Sequence, residues 1–269
     1  MSTKPAPEAP LQGRRILVTR AAEQLEELVR PLRERGALVT AAPTIRFQAP
    51  PDWNGFDRAL KRLSGYDLII FTSQNTLPRM LSRMSHLGID TTSLGKAELV
   101  AIGEATARSL IEKGFSDIRV PDEYRAEGVV ELLARGGLAG KRILLPRALV
   151  ARDELPDGLR QSGAKVDVAS VYQTASDPVG LATARMKIES REVDAVTFSS
   201  SSTVTHFLSG VGDKNTSHLR QICLASIGPI TSETLRRRGL EPTLEANPYT
   251  MEALVSALVQ HFSSHHEEG

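Results

Sequence analysis

The 269-residue sequence lacks several features that mark particular classes of protein. Its only cysteine, Cys223, excludes a disulfide framework and a cysteine-rich metal site. No apolar run reaches the roughly 18–20 residues of a membrane helix, and the N-terminal MSTKPAPEAP has no apolar core of a signal peptide. The net charge is only +1, from 33 basic and 32 acidic residues, so the basic surface of a nucleic-acid-binding protein is missing. We therefore expect a cytoplasmic protein with no nucleic-acid or membrane partner.

The composition is that of a soluble globular protein, with 41% hydrophobic and 24% charged residues. The length favours two domains rather than one. We expect the Pro- and Ala-rich residues 1–12 and the tail 263–269 to be disordered.

Between these ends, short apolar runs alternate with amphipathic stretches. The runs are rich in Ile, Leu and Val and are bounded by turn residues, which indicates strands buried on both faces of a parallel sheet. They cover residues 15–19, 66–71, 98–103, 142–146, 193–198 and 222–228. Because helical patterns follow most of them, the sequence predicts an α/β protein.

An internal repeat covers most of the chain. The first two repeated blocks lie 127 positions apart and the third lies 125 positions apart, all in the same order. Such ordered self-similarity indicates a duplicated domain. Each copy predicts four or five parallel strands with crossover helices, which is a flavodoxin-like, doubly wound sheet. The three pairs of blocks are ILVTR (16–20) and ILLPR (143–147), FTSQNT (71–76) and FSSSST (198–203), and AIGEAT (101–106) and SIGPIT (226–231).

Polar loops follow the predicted strands at the ends where doubly wound sheets bind ligands. Small polar residues at helix starts can bind anions through backbone amides and the helix dipole, although Ser and Thr are also ordinary N-caps. Arg20 and Arg147 lie just past two equivalent strand ends, where either a surface salt bridge or a contact with a carboxylate or phosphate fits. Gly103 and Gly228 mark equivalent turns that require a close approach of the backbone. The nucleotide-binding patterns GxGxxG and GxxxxGK[ST] are missing, which disfavours a nucleotide site.

Three tyrosines stand out when the two copies are aligned. Tyr172, in the extended segment SVYQTA, takes the place of Ile45, so one copy carries a phenol where the other is apolar. A unique chemical group and a core tyrosine both fit this position. Tyr124 and Tyr249 are retained in both copies, and either packing at a helix start or a ligand contact fits them.

The ordered blocks resemble those of the uroporphyrinogen-III synthase family over nearly all of residues 14–260, with SVYQTA and IGPIT, in that order, the most specific. The resemblance implies two flavodoxin-like, doubly wound parallel-sheet domains from the internal duplication, joined by a two-stranded connector. Domain 1 would comprise residues 1–45 and 174–269, and domain 2 the inserted residues 46–173. No fused methyltransferase sequence is present, so we expect the free-standing form.

The resemblance also implies a reaction. Family members dehydrate and cyclise hydroxymethylbilane, a polycarboxylated linear tetrapyrrole, and invert its last pyrrole ring to give uroporphyrinogen III. They hold the substrate in the cleft between the domains and use no cofactor or metal. Tyr172 matches the family tyrosine that is the usual candidate for the catalytic proton donor. The predicted substrate-binding residues are Ser73, Thr106, Ser199 and Thr231, which match family contacts, and Arg20, Asn75, Gly103, Arg147, Ser200, Ser201 and Gly228, which the strand-end loops add.

A second function from another class fits the same fold. A non-catalytic two-domain module could bind a ligand or regulate through the same cleft, because a fold does not prove activity. Tyr172 and the intact Ser/Thr loops favour the enzyme. For the enzyme we expect a monomer, with the upstream hydroxymethylbilane synthase as the candidate protein partner.

Overall fold

The computed structural model describes residues 9–264, which form two compact units. Unit 1 runs up to Arg46 and resumes at Ala175, and unit 2 is Phe47–Thr174. The strands, in chain order, are β1 (Arg15–Val18), β2 (Leu38–Ala41), β3 (Ile45–Gln48), β4 (Leu68–Phe71), β5 (Glu98–Ala101), β6 (Arg142–Ala148), β7 (Lys165–Ser176), β8 (Ala195–Phe198), β9 (Cys223–Ser226) and β10 (Leu244–Glu245).

Eleven α-helices lie within the described residues, and most of them connect one strand to the next. In chain order they are α1 (Glu26–Arg33), α2 (Asn54–Leu60), α3 (Thr76–His86), α4 (Glu104–Ile111), α5 (Ala126–Ala134), α6 (Glu154–Gln161), α7 (Pro178–Glu189), α8 (Ser201–Val211), α9 (Thr216–Leu219), α10 (Pro229–Arg236) and α11 (Met251–Ser264). None of the helices between residues 9 and 264 is long and apolar enough to cross a membrane.

Unit 1 is built on a parallel sheet in the order β2-β1-β8-β9-β10. Numbered along the chain within the unit, this order is 2-1-3-4-5, which is the flavodoxin-like doubly wound arrangement. Ile16 and Val18 of β1 pack into one core cluster, whereas Leu17 packs into the other. The central strands are largely apolar and buried because helices cover both faces of the sheet.

Unit 2 has the corresponding sheet order β7-β6-β4-β5. A fifth strand, β3, lies at the edge of this sheet beside β7. The pairs among β7, β6, β4 and β5 are parallel. Ile69 and Phe71 of β4 pack into one core cluster, and Leu68 and Ile70 into the other. This strand too is therefore buried on both faces.

The two sheets match residue pair by residue pair. Ile16 lies opposite Val39 in unit 1, and Ile143 lies opposite Val166 in unit 2, so both partners are shifted by 127 positions. The β4–β5 and β8–β9 pairs also correspond, with a shift of 127 positions from β4 to β8 and of 125 positions from β5 to β9. Each unit thus combines the first part of one sequence copy with the second part of the other, and residues that the repeat equates occupy equivalent places.

The α/β fold and all six strands predicted from apolar runs are confirmed. Two boundaries need correction. Arg147, predicted just past a strand, lies inside β6, which continues to Ala148. Leu11, predicted to be disordered, is fully buried, and its amide donates to the Arg35 carbonyl at 2.9 Å. Residues 263 and 264 belong to α11, and the rest of the two stretches predicted to be disordered, 1–8 and 265–269, lies outside the described residues.

Candidate functional site

Threonine hydroxyls tie together the carboxyl ends of β1 and β8 in unit 1. Thr19 Oγ1 donates to the Thr197 carbonyl at 2.6 Å. Thr44 Oγ1 lies 3.1 Å from the Thr19 carbonyl oxygen and 3.3 Å from that of Thr203. All four threonines are buried. The end of β1 is therefore held beside the first turn of α8, where the strand order reverses and doubly wound sheets bind their ligands.

Arg20 follows directly at this point, and its guanidinium is only partly satisfied. The side chain is 5% exposed, and its Nη2 lies 3.0 Å from Glu27 Oε2. Nε and Nη1 have no hydrogen-bond partner among the described residues. Burial lowers the pKa of Arg20, and Glu27 opposes this effect. Because unsatisfied buried donors are costly, this arrangement favours an anion as their acceptor.

The serine-rich loop before α8 serves first as a helix cap. Ser200 Oγ accepts from the Thr203 amide at 3.3 Å, and Thr203 Oγ1 accepts from the Ser200 amide at 3.3 Å, which makes a capping box. Ser201 Oγ donates to the Ile230 carbonyl at 3.3 Å and so links the starts of α8 and α10. Ser199, half-buried, precedes the cap. The predicted residues of this loop thus lie together at the strand ends of unit 1, with much of their side-chain hydrogen bonding already internal.

Gly103 and Gly228 are the N-cap residues of α4 and α10, and a tyrosine ring lies over each of them. A Cβ at either glycine would come within 3.1 Å of the ring of Tyr124 or Tyr249, respectively. Both glycines have extended backbones, so the close ring rather than a special φ angle requires glycine. The rings remain 59% and 62% exposed, which shows that the two tyrosines pack on the turns with one face open.

Thr106 and Thr231 lie in the first turns of these same helices. Their amides donate to the Gly103 and Gly228 carbonyls at 3.1 Å. Both residues are buried, so their side chains offer little surface to a ligand. The helix starts themselves can bind an anion through backbone N–H groups and the helix dipole.

In unit 2, residues 72–76 correspond to the serine-rich loop before α8, and the helix that follows them, α3, is capped less completely. The Asn75 amide donates to Ser73 Oγ at 3.2 Å, and Asn75 is the N-cap of α3 without a side-chain capping bond. Thr76, the first residue of α3, is fully buried, and its hydroxyl has no hydrogen-bond partner among the described residues. Ser109 of α4 donates to the Gln74 carbonyl at 3.5 Å, which holds the loop before α3 against α4.

Tyr172 lies in β7 of unit 2 and is 5% exposed. Its ring packs edge-on against Phe47, with 5.4 Å between the ring centroids. The guanidinium carbon of Arg79 lies 5.3 Å from the Tyr172 ring centroid and 4.4 Å from that of Phe47. The Tyr172 carbonyl accepts from the Leu149 amide at 2.7 Å. The phenol is therefore held on several sides within its own unit.

Arg147 lies near Tyr172, on the strand that pairs with β7. It differs from Arg20 because its guanidinium has partners: Nη1 donates to the Arg152 carbonyl and Nη2 to Asp153, both at 2.6 Å. Its side chain is 12% exposed. The two arginines that the repeat equates thus differ in hydrogen bonding: Arg147 has acceptors for two of its nitrogens, whereas Nε and Nη1 of the buried Arg20 have none among the described residues.

The sequence did not single out Arg79 or Phe47. The repeat contained a usable signal, because their counterparts 127 positions later are His206 and Thr174, which differ from them in kind. Within residues 9–264, no three His, Cys, Asp or Glu side chains are grouped so that they could hold a metal ion.

The fold and these sites define an α/β protein whose strand ends carry helix N-termini and a buried, partly satisfied arginine. The sequence model of the uroporphyrinogen-III synthase HemD family matches residues 26–256. A uroporphyrinogen-III synthase of Synechococcus elongatus is 29% identical over 94% of this chain and 97% of its own. A putative uroporphyrinogen-III synthase of Methanothermobacter thermautotrophicus is 32% identical over 90% of this chain and 96% of its own.

Two solved structures share the fold. Uroporphyrinogen III synthase of Thermus thermophilus, as a triple mutant, superimposes with a TM-score of 0.67 at 18% identity and covers 94% of this chain and 100% of its own. Uroporphyrinogen-III synthetase of Helicobacter pylori gives a TM-score of 0.62 at 19% identity, over 92% and 99% of the two chains. The chain belongs to the uroporphyrinogen-III synthase family, as the sequence blocks predicted. It is a lyase of tetrapyrrole synthesis, on the route to porphyrin and haem.

Proposed function

We propose that the chain performs the family reaction through carboxylate binding at the strand ends and proton donation by Tyr172. In this proposal it converts hydroxymethylbilane into uroporphyrinogen III, with loss of water and inversion of the last pyrrole ring. The observation that carries the proposal is Arg20, a buried guanidinium with two donors that lack acceptors among the described residues. A polycarboxylated substrate supplies such acceptors.

The remaining carboxylates are proposed to bind mainly to backbone amides. The net charge of +1 leaves little basic surface for a polyanion. The starts of α3, α4, α8 and α10 offer N–H groups at the carboxyl ends of the strands. The proposed binding residues are the eleven predicted from the sequence: Arg20, Ser73, Asn75, Gly103, Thr106, Arg147, Ser199, Ser200, Ser201, Gly228 and Thr231.

The chemistry requires one proton donor and much positioning. An electron-rich pyrrole expels the terminal hydroxyl, the C–O bond breaks with its electron pair on oxygen, and the Tyr172 phenol supplies the proton that turns this oxygen into water. The last ring attacks the resulting cation through the carbon that already links it to the third ring, which gives a spiro intermediate. That older carbon–carbon bond then breaks and forms again at the free carbon of the last ring, and the proton that this carbon loses on rearomatisation restores the phenol. The enzyme must also hold the chain so that inversion competes with direct closure, which is catalysis by orientation.

Incubation with freshly generated hydroxymethylbilane, followed by separation of the isomers, tests the overall function. We expect uroporphyrinogen III to form faster than the uninverted isomer that arises spontaneously. A non-catalytic ligand-binding or regulatory module would leave only the spontaneous isomer at its spontaneous rate, and that outcome would refute the proposal.

The role of Tyr172 is tested by Tyr172→Phe. Ile45 at the equivalent place shows that the fold accepts a side chain without a hydroxyl, so the variant should fold. We expect turnover to fall about ten- to ten-thousand-fold, the usual range for loss of a general acid, with the isomer unchanged. Tyr66→Phe is the control, because Tyr66 donates to Asp167 at 2.6 Å in the same unit, outside the proposed site. Normal turnover in Tyr172→Phe would assign this tyrosine to packing.

We also propose that the two units are flavodoxin-like domains produced by internal duplication. The pair-by-pair correspondence of the sheet registers supports this, because unrelated sheets would not share a sequence offset. The neighbouring strands β3 and β7 span both unit boundaries and are proposed as the two-stranded connector. Domain 1 would then be residues 1–45 and 174–269, and domain 2 residues 46–173.

We also propose that the protein is a cytoplasmic monomer and that hydroxymethylbilane synthase supplies its substrate. The single buried cysteine fits a reducing compartment. Because free hydroxymethylbilane closes spontaneously to the wrong isomer, direct supply by the enzyme that makes it would limit this loss. Sedimentation of the chain alone and with hydroxymethylbilane synthase would measure both the oligomeric state and the association.

A further inference from the structure

The rings of Phe47 and Tyr172 and the guanidinium of Arg79 form a cluster beside the start of α3. Arg79, on the first turn of α3, places its guanidinium over the rings of both Phe47 and Tyr172, at 4.4 and 5.3 Å from their centroids. Its Nη1 also donates to the Asn75 carbonyl at 2.9 Å. One nitrogen of the guanidinium is thus held by the loop that is proposed to bind a substrate carboxylate. The guanidinium also lies over the phenol ring of Tyr172.

All three members of this cluster lie in unit 2, and none of them recurs at the equivalent position of the other copy. The positions equivalent to Phe47, Arg79 and Tyr172 hold Thr174, His206 and Ile45. The equivalent helix of unit 1, α8, begins with a complete capping box and needs no such cluster to form. The cluster is therefore specific to unit 2, where it surrounds the phenol.

The electrostatics of this arrangement suit a proton donor. A guanidinium over an aromatic ring is attracted by the negative face of that ring. The attraction increases when a phenol gives up its proton, because the ring then carries a negative charge. A half-buried guanidinium screened by Phe47 acts more strongly than one in open water.

We infer that Arg79 is a positioning residue for Tyr172: it holds the phenol in one orientation and stabilises the charge that the ring takes up when its proton leaves. This inference rests on the proposed role of Tyr172. Arg79 acts through that ring, so its loss should change turnover rather than substrate affinity.

A double-mutant cycle tests the inference, with Arg79→Met, Arg79→Lys, Tyr172→Phe and the double variant Arg79→Met/Tyr172→Phe. Methionine keeps an apolar stem against Phe47 and removes the charge. We expect Arg79→Met to lower kcat about three- to thirtyfold, the range of a partly buried cation–π contact, with less than about a twofold change in KM. Arg79→Lys should restore part of the loss because it keeps a cation. In the Tyr172→Phe background, Arg79→Met should have no further effect on kcat.

The other outcomes refute the inference in distinct ways. A raised KM with an undiminished effect in the Tyr172→Phe background would make Arg79 a direct substrate ligand. A lowered melting temperature with unchanged kcat would make it a packing residue. Unchanged turnover of the Tyr172→Phe variant would show that Tyr172 is not the proton donor and would refute this inference as well. Slow turnover of Tyr172→Phe together with normal turnover of Arg79→Met would refute only the inference about Arg79.

Discussion

Replacing Arg20 by methionine should stabilise the protein and weaken substrate binding, two effects of opposite sign. Arg20 is buried with two unsatisfied donors, each of which costs about 1–3 kcal/mol when it loses water. Its ion pair with Glu27 returns little, because Glu27 is 51% exposed and such pairs contribute about 0–1 kcal/mol. Methionine has a similar length and fills the same space without buried donors.

The magnitude follows from these figures. Replacement of a buried ion pair by apolar residues of similar volume is neutral or stabilises by about 1–4 kcal/mol, and the same range applies to this single change because Glu27 stays half-exposed and its charge remains solvated. The free energy of unfolding should rise within that range, and the melting temperature by at least about 2 °C, since about 1 kcal/mol shifts it by roughly 2–4 °C in a domain of this size. Hydrogen bonds to charged groups contribute about 1.5–3 kcal/mol, so KM for hydroxymethylbilane should rise at least about tenfold.

Thermal and urea unfolding measure the first effect, and initial rates with freshly generated hydroxymethylbilane measure the second. Arg147→Met is the matched control, because Arg147 donates to the Arg152 carbonyl and to Asp153 and its loss breaks satisfied bonds. The control should be neutral or less stable. If Arg20→Met instead unfolded more easily and bound substrate normally, the guanidinium would be a structural group and the anion site would be wrong.

Two further variants test other parts of the structure. Thr231→Ala should raise KM less than Arg20→Met does, because Thr231 is buried and the amides at the start of α10 remain; steady-state kinetics on both variants would show a reversed order if the hydroxyl were the ligand. The hydrogen bond from Arg83 lowers the pKa of Asp57. This carboxylate therefore adds stability above the unfolded pKa of about 4, which is lost as pH falls through the lower folded value. Urea unfolding should show wild type and Asp57→Asn converging between about pH 4 and 2, and a constant difference would contradict this.

Much of the fold could be predicted because the repeat and the apolar runs carry it. The six runs found in the sequence are buried on both faces, and burial of this kind leaves a continuous apolar signature. The edge strands β2 and β10 left no such run. Leu38, which opens β2, is 59% exposed, and β10 has only two residues, Leu244 and Glu245. Their assignment depends on tertiary pairing that local sequence does not encode.

The sequence predicted the loops of the candidate site, but it did not show which of the two arginines has hydrogen-bond acceptors. Strand-end position and residue type single out Arg20 and Arg147 equally. Whether an arginine finds acceptors depends on neighbours distant in sequence or on local turn geometry, as Asp153 and the Arg152 carbonyl show for Arg147. The tyrosines over Gly103 and Gly228 explain these glycines by contact, which a turn pattern alone leaves open.

The proposed reaction explains why the two copies should differ where they do. Scaffold positions are alike in both units: Gly103 and Gly228 sit under equivalent tyrosine rings. The positions proposed to take part in catalysis differ between the copies. Ile45 stands at the place equivalent to Tyr172, and His206 at the place equivalent to Arg79. The linear tetrapyrrole carries one hydroxyl, which leaves from the end opposite the inverted ring, so one proton donor suffices and a second would have no leaving group to act on. A scaffold duplicated as proposed can therefore keep its strand registers while each reactive side chain stands in only one of the two copies.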